Sequence, residues 1–349
     1  MATKNRKLIE SILTVSFSLA LGVIVSACGS SSSPSGAGSL SPIAIIYTGD
    51  TDNDRIAAWE SADTVNGDVA PSRVIMGSTS GISQPYHLSY DSRSDTLIVG
   101  NLGTSEIKMY DGASSITGDV APSRALGGAL TMLDGGNGYI SAIDRTRDIL
   151  YVAIKDGVIA FNVASTLDGN VAPDAHITGA STMIANGNRD KRMFIDENND
   201  RLYVTADDRV VVFDNVSAKS GDVAPDRVVS GAATGFSYLW GIAVDVDRNI
   251  LYVADETDSD IAIFDNAATI NGNVAPDRVI SGAATLLGSP ADIYLDAVSN
   301  KLYSTNEGTS AGILVWNNAS TVSGDVAPDR VVTGASTGIS NIDGIVGAR

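Results

Sequence analysis

The chain has 349 residues and carries 41 acidic side chains against 23 lysines and arginines, so its formal net charge at pH 7 is −18. A surface this acidic repels phosphate backbones and anionic headgroups, which argues against nucleic acid as a partner. The single cysteine, Cys28, excludes an intrachain disulfide and a metal site built from several cysteines.

Residues 1–27 have the pattern of a secretory signal peptide. A basic start at residues 4–7 precedes an uncharged stretch at residues 11–27. Residues 25–28 read Val-Ser-Ala-Cys, which resembles the lipobox of bacterial lipoproteins. The resemblance implies cleavage before Cys28 and acylation of that cysteine. An uncleaved membrane helix is the alternative, since about 17 to 25 apolar residues can span a bilayer.

Residues 28–43 comprise the expected lipidated cysteine and a Ser/Gly-rich tether, which would reach about 20 Å as a flexible coil. We therefore expect a bacterial cell-envelope protein that meets the membrane through a lipid anchor only, with its folded body outside the cytoplasm. The glycine after Cys28, where an aspartate could stand, resembles the outer-membrane sorting pattern of some bacteria. The outer membrane is thus favoured over the inner one.

From residue 44 to residue 349 the chain is one repeating body. A twelve-residue motif recurs at steps of 51, 51, 52, 51 and 52 residues. A period held this closely indicates one supersecondary unit copied six times, each copy burying its apolar face against its neighbours. The copies are NGDVAPSRVIMG from Asn66, TGDVAPSRALGG from Thr117, DGNVAPDAHITG from Asp168, SGDVAPDRVVSG from Ser220, NGNVAPDRVISG from Asn271 and SGDVAPDRVVTG from Ser323.

Each unit divides into four short predicted strands, A to D, with no room for a helix. The NG, TG, DG and SG pairs between C and D predict tight hairpins. A proline at the entry to D predicts that D is the outermost strand, because proline cannot donate to a ladder. An aromatic column at the end of strand C is expected to pack between sheets. It consists of Trp59, Tyr110, Phe161, Phe213, Phe264 and Trp316.

The two ends of the repeating body complement each other. Nothing before Ala44 resembles a strand A, whereas residues 341–349 do. The C-terminal strand is therefore expected to pair with the N-terminal blade and close a ring. The sequence predicts an all-β fold, a six-bladed β-propeller with four antiparallel strands per blade.

One unit resembles a known group of repeats. The succession GIAVD, NILYVAD and DSDIAIFDN within residues 241–266 resembles the NHL and YVTN β-propeller repeats. The resemblance implies the fold and says little about activity. Some propellers of similar appearance are calcium-dependent lactonases or organophosphatases, but their ligands cannot be mapped onto this chain residue by residue.

The D to A connections differ between units and share one predicted face with the B to C turns, so they are the best place for a binding site. The basic run at residues 189–192 could hold an anionic ligand or form a solvated loop. The ligand-face candidates are Gln84, Tyr86, His87, Asn137, Tyr139, Asn188, Arg189, Lys191, Arg192, Tyr238, Trp240, Asp292, Asn341 and Asp343.

Oxygen-bearing side chains at the ends of strands B form a weak candidate calcium site. They are Asp50, Asn101, Asp255 and Asn306, and turn stabilisation is the alternative role. The A to B runs at residues 196–200 and 245–249 also alternate oxygen ligands, which hairpin capping explains without a metal. The arginines of the repeated motif are expected to pair with Asp68, Asp119, Asp222 and Asp325.

Catalytic machinery is not recognisable. The chain has two histidines, and neither a GxSxG nor an HExxH motif is present. We expect no cofactor other than possible calcium. The sequence favours a monomeric, non-catalytic binding or interaction scaffold with a protein or glycan partner. The alternatives are a calcium-dependent hydrolase or lactonase with carboxylates in the central channel, and a structural envelope component without a dedicated ligand.

Overall fold

The computed structural model describes residues 41–133, 140–184, 191–307 and 311–349. They belong to the unit Ser41–Arg349, in which the described residues form 24 strands in six antiparallel four-stranded sheets. The predicted six-bladed propeller is confirmed. No helix among the described residues is long and apolar enough to cross a membrane.

The blades are numbered in chain order, with blade 1 built from both ends of the unit. Blade 1 contains β24 (Ile342–Ala348), β1 (Ile45–Asp50), β2 (Arg55–Glu60) and β3 (Arg73–Ile75). Blade 2 contains β4 (Pro85–Asp91), β5 (Thr96–Asn101), β6 (Glu106–Asp111) and β7 (Arg124–Leu126). Blade 3 contains β8 (Ser141–Asp144), β9 (Ile149–Ile154), β10 (Gly157–Asn162) and β11 (Ala175–Thr178).

The other three blades repeat this order. Blade 4 contains β12 (Met193–Asp196), β13 (Arg201–Ala206), β14 (Arg209–Asp214) and β15 (Arg227–Ser230). Blade 5 contains β16 (Leu239–Asp245), β17 (Ile250–Asp255), β18 (Asp260–Asp265) and β19 (Arg278–Ile280). Blade 6 contains β20 (Ile293–Asp296), β21 (Lys301–Asn306), β22 (Gly312–Asn317) and β23 (Arg330–Val332).

Short 3-10 turns are the helical elements of the described residues, and the sequence analysis did not anticipate them. Each is three residues long and lies in a connection between strands. They are Leu102–Thr104, Ala129–Thr131, Ala164–Thr166, Ala180–Thr182, Val216–Ala218 and Ala283–Thr285.

The ring closes through the two ends of the unit, as predicted. Strand β24 pairs antiparallel with β1, from Ile45 opposite Ala348 to Asp50 opposite Ile342, with a register shift after Gly49. The A strands β4, β8, β12, β16, β20 and β24 contact one another around the centre, and the D strands form the other edge of every sheet. Strand D is therefore outermost, as the prolines predicted.

Six apolar clusters fill the seams between neighbouring blades. Phe161 of blade 3, for example, packs with Ile98 and Met109 of blade 2, and Phe213 of blade 4 packs with Ile177 of blade 3. All six members of the aromatic column are buried in this way, each against the preceding blade. The predicted packing between sheets is confirmed.

The predicted tight hairpin between strands C and D is wrong. Strand β6 ends at Asp111 and strand β7 begins at Arg124, so the connection is long. It crosses to the preceding blade, where Gly118 forms a parallel bridge with Ile75 of β3. Gly118 has a φ of +84°, which suits glycine because it has no Cβ to clash in this conformation. The NG, TG, DG and SG pairs thus cover the outer edge of a neighbouring sheet.

The acidic or amide residue of each repeated motif caps the start of the D to A connection on the preceding blade. Asp222, for example, accepts a hydrogen bond from the backbone amide of Ser181 at 2.6 Å. The equivalent contacts join Asp68 to Ser336, Asp119 to Ser80, Asn170 to Leu130, Asn273 to Ala233 and Asp325 to Ala284. The same contact therefore recurs at all six seams.

The expected pairing of the motif arginines with these aspartates is wrong, because the aspartates accept backbone amides. The arginines pair instead with the acidic residue at the end of strand C, as Arg227 does with Asp214 at 3.0 Å. Arg73, Arg124 and Arg278 pair likewise with Glu60, Asp111 and Asp265. Arg73, Arg124, Arg227 and Arg330 also donate to carbonyl groups of the next blade.

The seam between blades 3 and 4 departs from this pattern, because Ala175 occupies the arginine position. The buried hydroxyl of Tyr151 in the same seam has no hydrogen-bond partner within the described residues. The equivalent Tyr47 donates to the carbonyl of Ala113 at 2.9 Å. Ion pairs from Arg145 and Arg147 of blade 3 to blade 4 hold this seam at the A to B turns.

We predict that Gly179→Ala destabilises the fold by about 1–3 kcal/mol more than Gly221→Ala does. Both glycines have positive φ, +127° and +86°, but a Cβ on Gly179 would lie 2.4 Å from the Asp222 carboxyl carbon and a Cβ on Gly221 would meet nothing within 4 Å. Urea unfolding of the two variants measures the difference. Equal losses would show that the close approach to Asp222 is unimportant.

We predict that Ala175→Arg stabilises the fold by about 0.5–1.5 kcal/mol, the usual net value of a new hydrogen bond. The new guanidinium would lie beside Tyr151 and the carbonyls of blade 4, as Arg73 lies 5.9 Å from the Tyr47 ring. Ala175→Met is the control, since it adds length without donors. A gain in the urea midpoint for methionine equal to that for arginine would refute the hydrogen-bonding account.

Candidate functional site

The inner A strands bring one side chain from every blade to the centre of the ring. We call this group the hub: Asp343, His87, Ser141, Arg192, Trp240 and Asp292, from blades 1 to 6 in order. All lie among the first three residues of strand A or directly before it, where the D to A connection enters the sheet. Five of the six were ligand-face candidates in the sequence analysis.

Arg192 is the central cation of the hub and is only 1% exposed. Its guanidinium donates to the main-chain oxygen of Asp343 at 3.1 Å, and its Nε lies 3.7 Å from Oδ1 of Asp292. Its Cζ is 5.0 Å from the ring centroid of Tyr86 and 5.9 Å from that of Trp240. One side chain therefore links four other blades.

Lys191 is also 1% exposed and donates to the main-chain oxygen of Lys155 in blade 3 at 2.8 Å. The interpretation of this basic run as a solvated loop is therefore wrong for Lys191 and Arg192. Carbonyl oxygens, a carboxylate and aromatic rings surround these cations, and such contacts offset the cost of removing charge from water.

Asp292 is the carboxylate that faces Arg192. Its oxygens accept the backbone amides of Ile293 at 2.9 Å and of Ile345 at 3.2 Å, so it joins blade 6 to blade 1. Burial raises the pKa of Asp292 to about 6, although the charge of Arg192 and the two amides act in the opposite direction. At neutral pH the carboxylate is therefore ionised and balances the buried guanidinium.

His87 completes the contact between blades 2 and 3. Its Nδ1 accepts the backbone amide of Ser141 at 3.3 Å, which places the proton of the neutral ring on Nε2, 4.0 Å from Oδ2 of Asp292. Burial, followed by the charge of Arg192, lowers the pKa of His87 well below 6.5. The imidazole is thus neutral at pH 7.

Two carboxyl groups, one in blade 6 and one in blade 5, have pKa values raised to near neutrality. Burial raises the pKa of Glu307 to about 7, and the neighbouring Asp343, which is hydrogen-bonded to Glu307, adds to the shift, as does Glu256. Asp343 Oδ2 also accepts the hydroxyl of Thr51 at 2.6 Å. Burial together with Asp255 and Asp258 likewise raises the pKa of Asp260 to about 7.

The four candidate calcium ligands lie in blades 1, 2, 5 and 6, and each closes a D to A connection of its own blade. Asn101 accepts the amide of Ser83 at 2.7 Å, and Asp255 accepts that of Ser237 at 2.7 Å. Asp50 and Asn306 accept amides of Ser340 and Gly288 in the same way. Across the described residues, no group of three or more His, Cys, Asp or Glu side chains could hold a metal ion.

The remaining ligand-face candidates have mixed positions. Gln84 is exposed and its backbone amide donates to the Asp54 carboxylate at 2.7 Å, and the Asn341 side-chain amide donates to the Thr51 hydroxyl at 3.1 Å. The ring centroid of Tyr238 lies 6.3 Å from that of the hub residue Trp240. Cys28, Asn137, Tyr139, Asn188 and Arg189 lie outside the described residues.

Sequence reasoning missed Ser141, Glu256 and Glu307. Ser141 begins strand β8, a position that the alignment of A strands could have supplied. The two glutamates directly follow the ends of β17 and β21. Turn carboxylates are common in this chain, so only the folded ring shows that Glu307 lies near Asp343, Glu256 and Arg192.

No protein-family model and no curated protein matches this chain. Among solved structures, the chain is similar to one described as a crystal structure of a nidogen/laminin complex. That match has a TM-score of 0.56 at 13% identity, and covers 87% of this chain and 98% of the other. At this identity the similarity concerns the propeller fold alone.

We predict that His87 makes the protein less stable as the pH falls below 6.5. Because its folded-state pKa is lowered, the unfolded chain binds a proton that the folded chain does not, so stability is lost by at most about 1.4 kcal/mol per pH unit. His87→Gln retains an acceptor for Ser141 and removes this titration. Urea unfolding from pH 7.5 to 5 should show the wild type losing stability relative to the variant.

A constant difference between the two proteins over this range would contradict the prediction. The stability of the wild type must be compared with that of the variant at each pH, because protonation of Asp292 changes folding stability in the opposite direction. Its raised folded-state pKa means that the folded chain takes up a proton near pH 6, which increases stability on acidification.

Proposed function

We propose that this protein is a lipid-anchored interaction scaffold of the bacterial cell envelope that presents its D to A connections to a partner. The fold supports this role because it separates a constant part from a variable part. The repeated motif is used in the seams, whereas the D to A connections range from eight to 14 residues and differ in sequence. Variable loops on a rigid frame are a common arrangement in binding proteins.

The observation that carries the proposal is the fixation of the shorter connections at both ends. In the D to A connection that runs from blade 4 to blade 5, Asn273 accepts the amide of Ala233 at the start, and Asp255 accepts the amide of Ser237 near the end. In the last connection, Asp68 and Asp50 do the same for Ser336 and Ser340. A loop held at both ends presents its side chains with little loss of conformational entropy on binding.

The matched solved structure, by its title, is a complex between two proteins, which is consistent with a propeller that binds another macromolecule. The anchor and the location rest on the sequence, namely the Val-Ser-Ala-Cys run at residues 25–28 and the uncharged stretch before it. We propose attachment through acylated Cys28, with the outer membrane favoured and a protein or glycan as the partner.

We predict that replacing residues 232–238 by the sequence of residues 335–341 abolishes partner capture and leaves the fold intact. The two segments have equal length, and both keep the glycine at positive φ, Gly235 and Gly338. Pull-down from solubilised membranes of the native cell, with the swapped and unswapped chains as bait, measures the loss. Val163→Ser, at an exposed position of the rim, is the control.

Undiminished capture by the swapped chain would exclude this connection from the binding surface.

For the anchor, Cys28→Ala should prevent palmitate labelling and release the chain into the soluble fraction. Continued labelling of that variant would contradict the lipid attachment.

A further inference from the structure

A surface cleft lies where the D to A connection between blades 4 and 5 meets the B to C turn of blade 4. We call it the Phe236 cleft. It has an empty volume of about 380 Å³, and its lining residues are Asp208, Gly231, Ala232, Gly235 and Phe236. The first four are exposed and Phe236 is half-buried, so the cleft is open to solvent. One carboxylate and four small or apolar residues therefore share one accessible space.

Hydrogen bonds fix both walls of the Phe236 cleft. The Thr234 hydroxyl donates to the carbonyl of Gly231 at 2.8 Å and accepts the amide of Phe236 at 3.2 Å. The carbonyl of Asp207 accepts the amide of Leu239 at 2.8 Å, which ties the B to C turn of blade 4 to the start of strand β16. The cleft is therefore formed in the free protein, and a partner loses little affinity to the ordering of its walls.

The lining of the Phe236 cleft matches a long basic side chain. Lysine and arginine lay their aliphatic stems along apolar surfaces and keep the charged head among polar groups. Phe236 and Ala232 offer the apolar surface, the Phe236 ring attracts a cation, and Asp208 offers the carboxylate. Sites for free small molecules bury most of the ligand, so an open cleft of this kind better suits a side chain held by a larger partner.

The charge beside the Phe236 cleft is negative. Ser237, which follows Phe236, donates its hydroxyl to Asp258 at 2.6 Å and its amide to Asp255 at 2.7 Å. These bonds place the acidic B to C turn of blade 5 next to the cleft. Neither that turn nor the connection that lines the cleft, both within the described residues, contains a lysine or an arginine. A basic segment is therefore attracted to this region and an acidic one is repelled.

Arg209 is a nearby cation that already pairs with Asp208. Its Nε and one terminal nitrogen lie 3.0 and 2.8 Å from the same oxygen, Oδ1 of Asp208. The Arg209 and Asp208 side chains are 31% and 53% exposed, and exposed pairs of this kind contribute only about 0–1 kcal/mol. A partner cation can therefore share or replace this contact at small cost, and Arg209 opposes its binding by like-charge repulsion.

We propose that the Phe236 cleft binds a lysine or arginine side chain in a basic segment of a partner protein. This inference rests on the proposed scaffold function and names the chemistry of its partner. The aliphatic stem lies against Phe236 and Ala232, and the charged head reaches Asp208. The acidic turn of blade 5 attracts neighbouring basic residues of the same segment.

The test uses the full-length chain in a nonionic detergent, and calorimetry measures binding of four probes. They are capped tetralysine, capped tetraglutamate, a capped Gly-Ser tetrapeptide and spermine, a free polyamine with about the same charge as tetralysine. We expect tetralysine to bind, more weakly at about 300 mM than at about 50 mM salt because exposed charges are screened. Tetraglutamate and the Gly-Ser peptide should not bind, and spermine should bind less tightly than tetralysine.

Two charge variants should change the affinity for tetralysine in opposite directions. Asp208→Asn removes the carboxylate and should weaken binding about two- to fivefold, whereas Arg209→Gln removes the competing cation and should strengthen it by a similar factor. Asp156→Asn and Lys155→Gln are the matched controls, because they make the same charge changes at exposed positions of the equivalent turn in blade 3. Each control should leave the affinity within about 1.5-fold of the wild type.

Phe236→Ile tests the aromatic wall. Isoleucine stands at the equivalent position of the last connection, Ile339, so the variant keeps an apolar side chain and loses only the ring. It should weaken tetralysine binding about two- to fivefold, as expected for loss of an exposed cation–π contact. Circular dichroism melting confirms that every variant is folded.

The inference is overturned if tetralysine does not bind, if the variants at Asp208 and Arg209 change its affinity no more than those at Asp156 and Lys155, or if spermine binds at least as tightly. Its failure is separable from that of the scaffold proposal. In the pull-down, loss of the partner after the loop swap with full capture by Asp208→Asn and Phe236→Ile leaves the scaffold standing and removes the basic segment. Retention of the partner after the swap counts against the scaffold itself.

Discussion

The antiparallel pairing of β24 with β1 is the contact on which the other seams depend, because it makes the first and last units neighbours. Without it, two sheets would present unpaired edges and apolar faces to water. With it, Asp68 caps Ser336 and Arg330 donates to Ala62 across the closure, as their equivalents do elsewhere. All six blades are then held by the same kind of contact.

Each seam is directional, since the later blade caps the loop and covers the outer edge of the earlier one, whereas the motif arginine of the earlier blade donates to the later one. The C to D connection of one blade crosses to strand D of the blade before it and bridges its outer edge, as Gly118 does with Ile75. Strands D are only three or four residues long in the described structure. Short edge strands with a covered edge are poor templates for unwanted pairing with other chains. The repeated motif thus protects the outer edges of the fold.

The polar contacts of the hub result from the arrangement of the six A strands at the centre of the ring. Six A strands converge on a small space, so polar residues at their starts must satisfy one another or lose the solvation that water would give them. Arg192 and Asp292 do so by pairing with each other and with the main chain of blade 1. A buried ion pair of this type adds little net stability, yet removal of one partner leaves an uncompensated charge. The hub therefore fixes the arrangement of the blades around it.

The period, the strand count, the outermost position of strand D and the packing of Trp59 and its equivalents could all be predicted from the sequence, because they depend on local pattern and on repetition. Contacts between units could not. Asp222 was assigned to an arginine of its own motif, whereas it caps Ser181 of the previous blade. Five hub residues were recognised as members of one face, but Arg192 was interpreted as solvated or anion-binding although it is buried between Tyr86, Trp240 and Asp292.

The sequence by itself determined which segments become strands and that the ring closes, since hydrophobic pattern and turn chemistry act over a few residues. Only the tertiary structure decided which polar groups meet, because those contacts join residues about 40 to 150 positions apart whose distance depends on the path of the whole ring.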